Sequence, residues 1–314
     1  MAIAGNKLLN LTGAKALYDD LRGRVDGLID DTATGAAGDT DVVWSAAKVK
    51  GQLGTKADAT DPVFSGSISM GRYPGSTVGT GSTAVGSDNK ATANYAHAEG
   101  GQNEASGASS HAEGTANTAS GSSAHAEGNN GTASGNYAHT EGSGCTASGT
   151  TAHAEGLQTT ASQSNAHAEG RGTTASGGNS HAEGEYCQAV KNAAHAEGGS
   201  TIANKKYSHA EGNGTQTDGQ QSHAEGLGTK TTHASQHVFG EYNALDQSSA
   251  DDEHRGTYVE IVGNGTSDNA RSNARTLDWS GNEEIAGMFK CATSITIGST
   301  TITEAQLQAL LAML

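Results

Sequence analysis

The sequence predicts a mainly β protein built on a parallel β-solenoid of 14-residue coils, flanked by short helices and a small C-terminal β module. Three observations predict it. Histidine recurs every 14 residues from His97 to His237, eleven times without insertion or deletion. Ten of those histidines open the tetrapeptide His-x-Glu-Gly, and a half-repeat Ala-Ser-Gly follows the first three by eight to ten residues (105–107, 119–121, 133–135). The composition supplies 45 glycines but only 4% aromatic and 33% hydrophobic residues, much of the latter alanine. A single globular core of this length would require far more Leu, Ile, Val and Phe. A repeat whose neighbours supply the missing contacts does not.

The period narrows the architecture. Helical solenoid units need about 33 residues or more, so 14 is too short. Strand residues alternating about glycine-permitted turns, twice per repeat, fit one β coil with two short strands and two turns. Coils stack about 4.8 Å apart, so residues 14 apart form ladders and the array makes a rod roughly 55 Å long.

Taken in order, residues 1–55 read as a helical attachment region. Ala14, Tyr18, Leu21, Val25 and Leu28 carry the 4-3-4-3 spacing of a coiled-coil seam. A Gly/Thr/Ala/Asp linker from Asp30 to Asp41 follows, and Val42, Ala46, Val49 and Leu53 repeat the spacing. Residues 56–77 form a short connector whose Phe64, Ile68 and Met70 alternate with Val63, Ser65, Ser67 and Ser69 as in a strand. The repeat array fills 78–243. In 244–303, Tyr258 to Thr266 and Arg271 to Asn282 read as strands joined by Asn-Gly and Ser-Gly turns. Tyr258, Ile261, Leu277, Trp279, Ile285 and Phe289 supply the apolar residues of this β module. Ser294 to Gly298 is a further strand. Thr303 and Gln306 make a capping box for a helix over 304–314, with Leu307, Leu310, Leu311 and Leu314 on one face.

The motif Ala/Ser-His-Ala-Glu-Gly, alternating with Ala-Ser-Gly over residues 78–243, resembles the head repeat of trimeric autotransporter adhesins of the YadA type. That resemblance implies a left-handed parallel β-roll in which three chains wrap one threefold axis. The family strand reads Ser-Val-Ala-Ile-Gly, and Ser82-Thr83-Ala84-Val85-Gly86 nearly matches it. The connector and the C-terminal module resemble segments of phage and prophage structural proteins, tail fibres among them.

The departure from the family lies where Val and Ile give way to His and Glu. The Glu register turns apolar at both ends of the array, at Val85 and Phe239, which predicts that this register faces the trimer interior or its seams. The expected ladder is His97 with Glu99, His111 with Glu113, His125 with Glu127, His139 with Glu141, and His153 with Glu155. It continues through His167 with Glu169, His181 with Glu183, His195 with Glu197, His209 with Glu211, His223 with Glu225, and ends at His237. Thin coils with few large side chains bury too little surface alone, so a homotrimer is expected. Carboxylates repeated every coil would repel unless paired, so inter-chain His–Glu hydrogen bonds with partly protonated histidine are expected to fix register.

Charge and motifs bound the function. A net charge of −16 leaves no footprint for nucleic acid or an anionic membrane, and ten of the 34 acidic residues are the repeat glutamates. The three cysteines lack metal-type spacing. Cys145 and Cys187 share one coil position about 14 Å apart along the rod, too far for a disulfide, and read as substitutes for the Thr or Asn found there. His233 and His254, outside the register, are expected at the surface. No nucleophile triad or phosphate loop stands out, so neither an enzyme nor a cofactor is expected. The start lacks an apolar signal core and no run of 18 apolar residues occurs. The expected function is a structural fibre of a bacteriophage or prophage particle, made without a signal peptide and placed in the virion. Its expected partners are itself as a homotrimer, other virion proteins through the N-terminal region, and a host-surface glycan or protein receptor. Two alternatives stand beside it. One is a bacterial trimeric cell-surface adhesin, which normally carries a secretion signal and an anchor. The other is a metal-binding trimeric fibre using rings from His97 to His237, against which a coil spacing near 4.8 Å is wide for adjacent rings to share an ion.

Overall fold

The computed structural model describes residues 68–72, 78–288, 294–297 and 299–312. The helices expected in 1–55, most of the 56–77 connector, Phe289 and Cys291 lie outside the described residues.

The repeat folds as a mainly β solenoid of about eleven coils. Each coil opens with a five-residue strand at the histidine, from His97–Gly101 to His237–Glu241, and continues into a two-residue strand such as Glu104–Ala105 or Thr118–Ala119. Strands pair in parallel with their equals one coil away, without slip: His97 with His111, Glu99 with Glu113, Ala105 with Ala119. Two parallel sheets result, one of long and one of short strands.

Strand alternation sends the residue between His and Glu inward. In the coil of His153 the interior is Ala152, Ala154, Thr159 and Ala161, all essentially inaccessible. Alanine fills most of the coils, while Ser208, Thr215 and Thr217, and then Ser222, Thr229 and Thr231, line the two coils before the last. Only the last coil encloses larger apolar residues, Val238 and Ile261.

The turns differ from the expected glycine turns. Each coil has left-handed residues that are mostly not glycine, such as Tyr95 (φ 59°), Ser109 (φ 57°) and Gln102 (φ 61°). Their backbone N–H groups bond across coils, Ser109 N to Asn94 O at 2.9 Å and Gln102 N to Ser87 O at 2.8 Å, which offsets the conformational cost. Glycine is required instead inside the long strand. Gly100 has φ 101°, and a Cβ there would stand 2.2 Å from the carbonyl oxygen of Gly114. The Gly of His-x-Glu-Gly therefore permits close stacking of coils rather than a turn.

Both ends of the parallel stack carry an added strand. Ile68–Arg72 pairs in parallel with Thr83–Ala91, placing Met70 beside Val85. At the other end Tyr258–Asn264 pairs in parallel with His237–Glu241, placing Val262 beside Phe239. Asn273–Asp278 and then Glu283–Ile285 continue the sheet antiparallel. Arg275 joins Glu260 to Glu283 across these strands. The last strand is short, exposed and acidic, features that blunt a free edge. A hairpin of Ser294–Ile297 and Thr300–Thr303 precedes the helix Glu304–Leu311. The expected capping box closes it: Thr303 N donates to Gln306 Oε1 at 2.9 Å and Gln306 N to Thr303 Oγ1 at 3.4 Å. The leucine face expected on this helix lies outside the described side chains.

Candidate functional site

Because alanine takes the inward position, His and Glu leave the long-strand sheet on its outer face. The whole ladder from His97 to His237 forms one continuous stripe on that face, half-exposed in the single chain. The imidazoles stack with ring centroids 4.5 to 4.9 Å apart. Most neighbours are near parallel, but His139 and His153 are tilted by 41°. Phe239, two residues on along the same strand, lies 5.3 Å from the His237 ring at a tilt of 36°, so one expected apolar cap lies beside the last ring of the ladder.

Eight of the ten repeat carboxylates stand within 4.0 Å of the imidazole of their own strand, and Glu225 instead lies 3.9 Å from His237 of the next coil. His97 Nε2 lies 3.4 Å from Glu99 and His195 Nε2 lies 3.4 Å from Glu197. Some carboxylates bridge coils: Glu113 is 4.0 Å from His111 and 3.5 Å from His125, and Glu211 is 3.7 Å from His209 and 3.8 Å from His223. None of these contacts is a hydrogen bond. The Nε2 atoms of all eleven stacked histidines are shielded from solvent and lack a hydrogen-bond partner. Within one chain, therefore, His–Glu proximity runs along the strand and between coils while the ring nitrogens stay unsatisfied.

Five of the stacked rings resist charging. Burial, then the neighbouring His195 and His223, push the pKa of His209 down to about 4. Burial also lowers His111, His139, His153 and His223, reinforced by adjacent histidines. In the single chain these five rings favour the neutral form, whereas the expected partial protonation concerned histidines paired between chains. The carboxylates feel one another too. The hydrogen bond between Glu113 and Glu127 holds Glu127 above the ordinary carboxylate range and Glu113 below it, while burial and then Glu225 raise Glu211. A groove of about 430 Å³ runs beside the stripe, lined by Glu113, Glu127, Glu141 and the glycines that follow them.

An asparagine ladder braces the strands from inside. Asn103 Nδ2 donates to the carbonyls of Glu99 (2.6 Å) and Gly114 (2.8 Å), and its Oδ1 accepts from Asn117 N (2.8 Å). Cys145 takes this position with Sγ 3.2 Å from Glu141 O and 3.3 Å from Gly156 O. Cys187 places Sγ 3.2 Å from Gly198 O. Both are buried and unbridged, so they substitute for Asn and Thr as the spacing implied.

His233 corrects the sequence reading, which placed it at the surface. It is 3% exposed, and Asp246 beside it is 5% exposed. Asp246 Oδ2 accepts from Thr257 N (2.7 Å), Tyr258 N (3.0 Å) and Gln236 Nε2 (3.3 Å). His233 Nδ1 meets Thr232 Oγ1 at 2.8 Å and its Nε2 meets Ala250 O at 3.1 Å. This buried cluster ties residues 244–257 to the last coil. The available signal was that His233 falls 14 residues after Gly219 and so occupies a repeat position of its own. His254 is exposed, as expected, and pairs with Asp251 at 2.5 Å, which raises its pKa.

Seven groups of His, Glu and a further His, Cys, Asp or Glu place one ligand atom each within 4.8 Å of one another, the first being His97, Glu99 and His111. No helix among the described residues is long and apolar enough to cross a membrane. No family model matches the chain, and no curated protein matches it either.

Proposed function

We propose that this chain is a homotrimeric structural fibre of a bacteriophage or prophage particle, engaged in attachment to the host surface and without enzymatic activity. The observation that carries the reading is the uninterrupted His/Glu stripe on one outer face of a rod whose interior is closed by alanine and small polar residues. A site for one reaction is a unique constellation, whereas this pair repeats coil after coil and so serves architecture. On a lone solenoid the stripe leaves eleven shielded Nε2 atoms unsatisfied, and buried polar groups ordinarily find partners. Two further copies around a threefold axis bring carboxylates to those nitrogens, and the groove beside Glu113, Glu127 and Glu141 gives a facing side chain room to enter. Apolar residues continue the Glu register at both ends, Val85 on one side and Phe239 then Val262 on the other, as suits a seam closed against water. The family resemblance over 78–243 supplies the left-handed roll and the threefold axis. The resemblance of the flanks to phage structural proteins supplies the virion context, with the N-terminal region as the attachment end and a glycan or protein as receptor.

Light scattering of the untagged full-length chain should give the mass of three chains, and antibodies against the solenoid should decorate intact particles in electron micrographs. A stable monomer would overturn the trimer. Particles that stay unlabelled while the free protein is recognised would overturn the virion assignment.

A further inference from the structure

We propose that the His/Glu stripe binds divalent transition-metal ions within a single chain, each ion held by histidines of two adjacent coils and the glutamate between them. The triads His97–Glu99–His111, His167–Glu169–His181 and His195–Glu197–His209 each bring two imidazole nitrogens and a carboxylate oxygen within 4.8 Å of one another. The inference concerns one chain and stands apart from the virion reading; remaining coordination positions fall to water or to a facing chain.

Three features argue for it. The donor nitrogens are presented and unspent, since every Nε2 in the stack is shielded and lacks a hydrogen-bond partner. The donor set, two imidazoles and a carboxylate, suits zinc, nickel or copper rather than magnesium or calcium, which prefer all-oxygen sites. The motion required is small. Donors on a tetrahedral ion at bond lengths of about 2.0–2.1 Å stand roughly 3.4 Å apart, and Nε2 is the far end of the ring, so tilting two stacked rings toward each other closes the gap. His139 and His153 are already tilted by 41° on an undistorted pair of strands. The coil spacing that counts against sharing an ion between rings therefore restricts the backbone, not the donor atoms.

The arrangement also limits capacity. One Nε2 serves one ion, so triads that share a histidine, such as His97–Glu99–His111 and His111–Glu113–His125, exclude each other. Eleven stacked histidines used two at a time accept at most five ions per chain.

The test uses the untagged full-length chain, stripped with chelator and titrated with zinc by calorimetry, with metal content measured after dialysis. Between two and five zinc ions per chain are expected. A comparison chain carries His111→Thr, His139→Thr, His167→Thr, His195→Thr and His223→Thr, because Thr83 occupies this register naturally. It keeps six of the stacked histidines and all ten glutamates, yet no two histidines remain adjacent, so at least a tenfold loss of affinity is expected. General attraction of cations to the glutamates would leave its binding unchanged, and that result would overturn the proposal, as would a parent chain that retains no zinc. A measurement on the parent alone covers a comparison chain that fails to fold. Zinc should protect stacked histidines from diethylpyrocarbonate, mapped by mass spectrometry, while exposed His254 stays reactive. Equal modification with and without zinc overturns the proposal. Light scattering on the same samples reads the trimer separately.

Discussion

Stacking imidazoles on adjacent coils penalises the charging of His111, His139, His153, His209 and His223 twice, by lost hydration and by neighbouring histidines. For His209, held near 4 in the folded chain against an ordinary 6.5, the unfolded chain binds the proton first. Its contribution to stability is complete above about pH 6.5 and is lost as the pH falls toward 4. His111, His139, His153 and His223 shift the same way, so the urea midpoint of the metal-stripped chain should drop between pH 7.5 and pH 5. An unchanged midpoint would show that these rings are not resisting protonation. At the glycine register the prediction is steric. Gly156→Ala, with φ 109° and a Cβ 2.1 Å from Gly170 O, should destabilise by about 1–3 kcal/mol. Gly101→Ala, whose Cβ meets nothing within 4 Å, should leave the denaturation midpoint almost unmoved. Similar losses at both sites would refute the stacking role given to the motif glycine.

The strands owe their stability to interior columns more than to their outer faces. Ala154 is wholly enclosed between Ala152 and Thr159 of its own coil and its equals on either side. Ala154→Leu should cost about 1–3 kcal/mol through overpacking, read as a lower thermal midpoint. Cys145→Thr belongs to a milder class. Thr173 and Thr229 occupy the same column and donate Oγ1 to the carbonyl four residues back at 3.0 Å, while Thr159, Thr201 and Thr215 sit there without that bond, so the column accepts threonine either way. The change should cost less than about 1.5 kcal/mol, and a larger loss would mean that the cysteine does something the column does not require. Much of this was legible beforehand. The 14-residue period announced strands, ladders and the equivalence of Cys145 with Asn and Thr. The left-handed turns at Tyr95, Ser109 and Gln102 were not, because propensity favours glycine there and cross-coil hydrogen bonds override it.

The solenoid of the described residues is a one-dimensional stack, so its stability resides in coil-to-coil interfaces and depends on its ends. Asp246 is the anchor at the C-terminal end. Asp246→Ala leaves the part-buried Thr257 N and Tyr258 N without their acceptor, at a cost of about 1–3 kcal/mol in all. Hydrogen exchange should then rise in residues 230–264 while the coils around His125 keep their protection. Uniform loss along the rod would instead indicate that the solenoid unfolds as a single unit. The trimer mass expected for the intact fibre belongs to this scale as well, since a half-exposed stripe running the length of the rod is matched only by an equally long partner.

The 14-residue period alone dictates the repeat, its parallel β coils, the ladder of His over His and Glu over Glu, and the apolar registers at Val85 and Phe239. A fixed period with no insertions admits one register, and strand alternation then assigns each residue to a face. What lies behind those faces emerges from the folded chain. It shows that alanine shares the coil interior with small polar residues, that the motif glycine serves close stacking, that Nε2 atoms are shielded without partners, and that His233 is buried beside Asp246. These depend on the distance between the two sheets and on chain returning from residues 244–257, and neither is encoded in the spacing of residues along the chain.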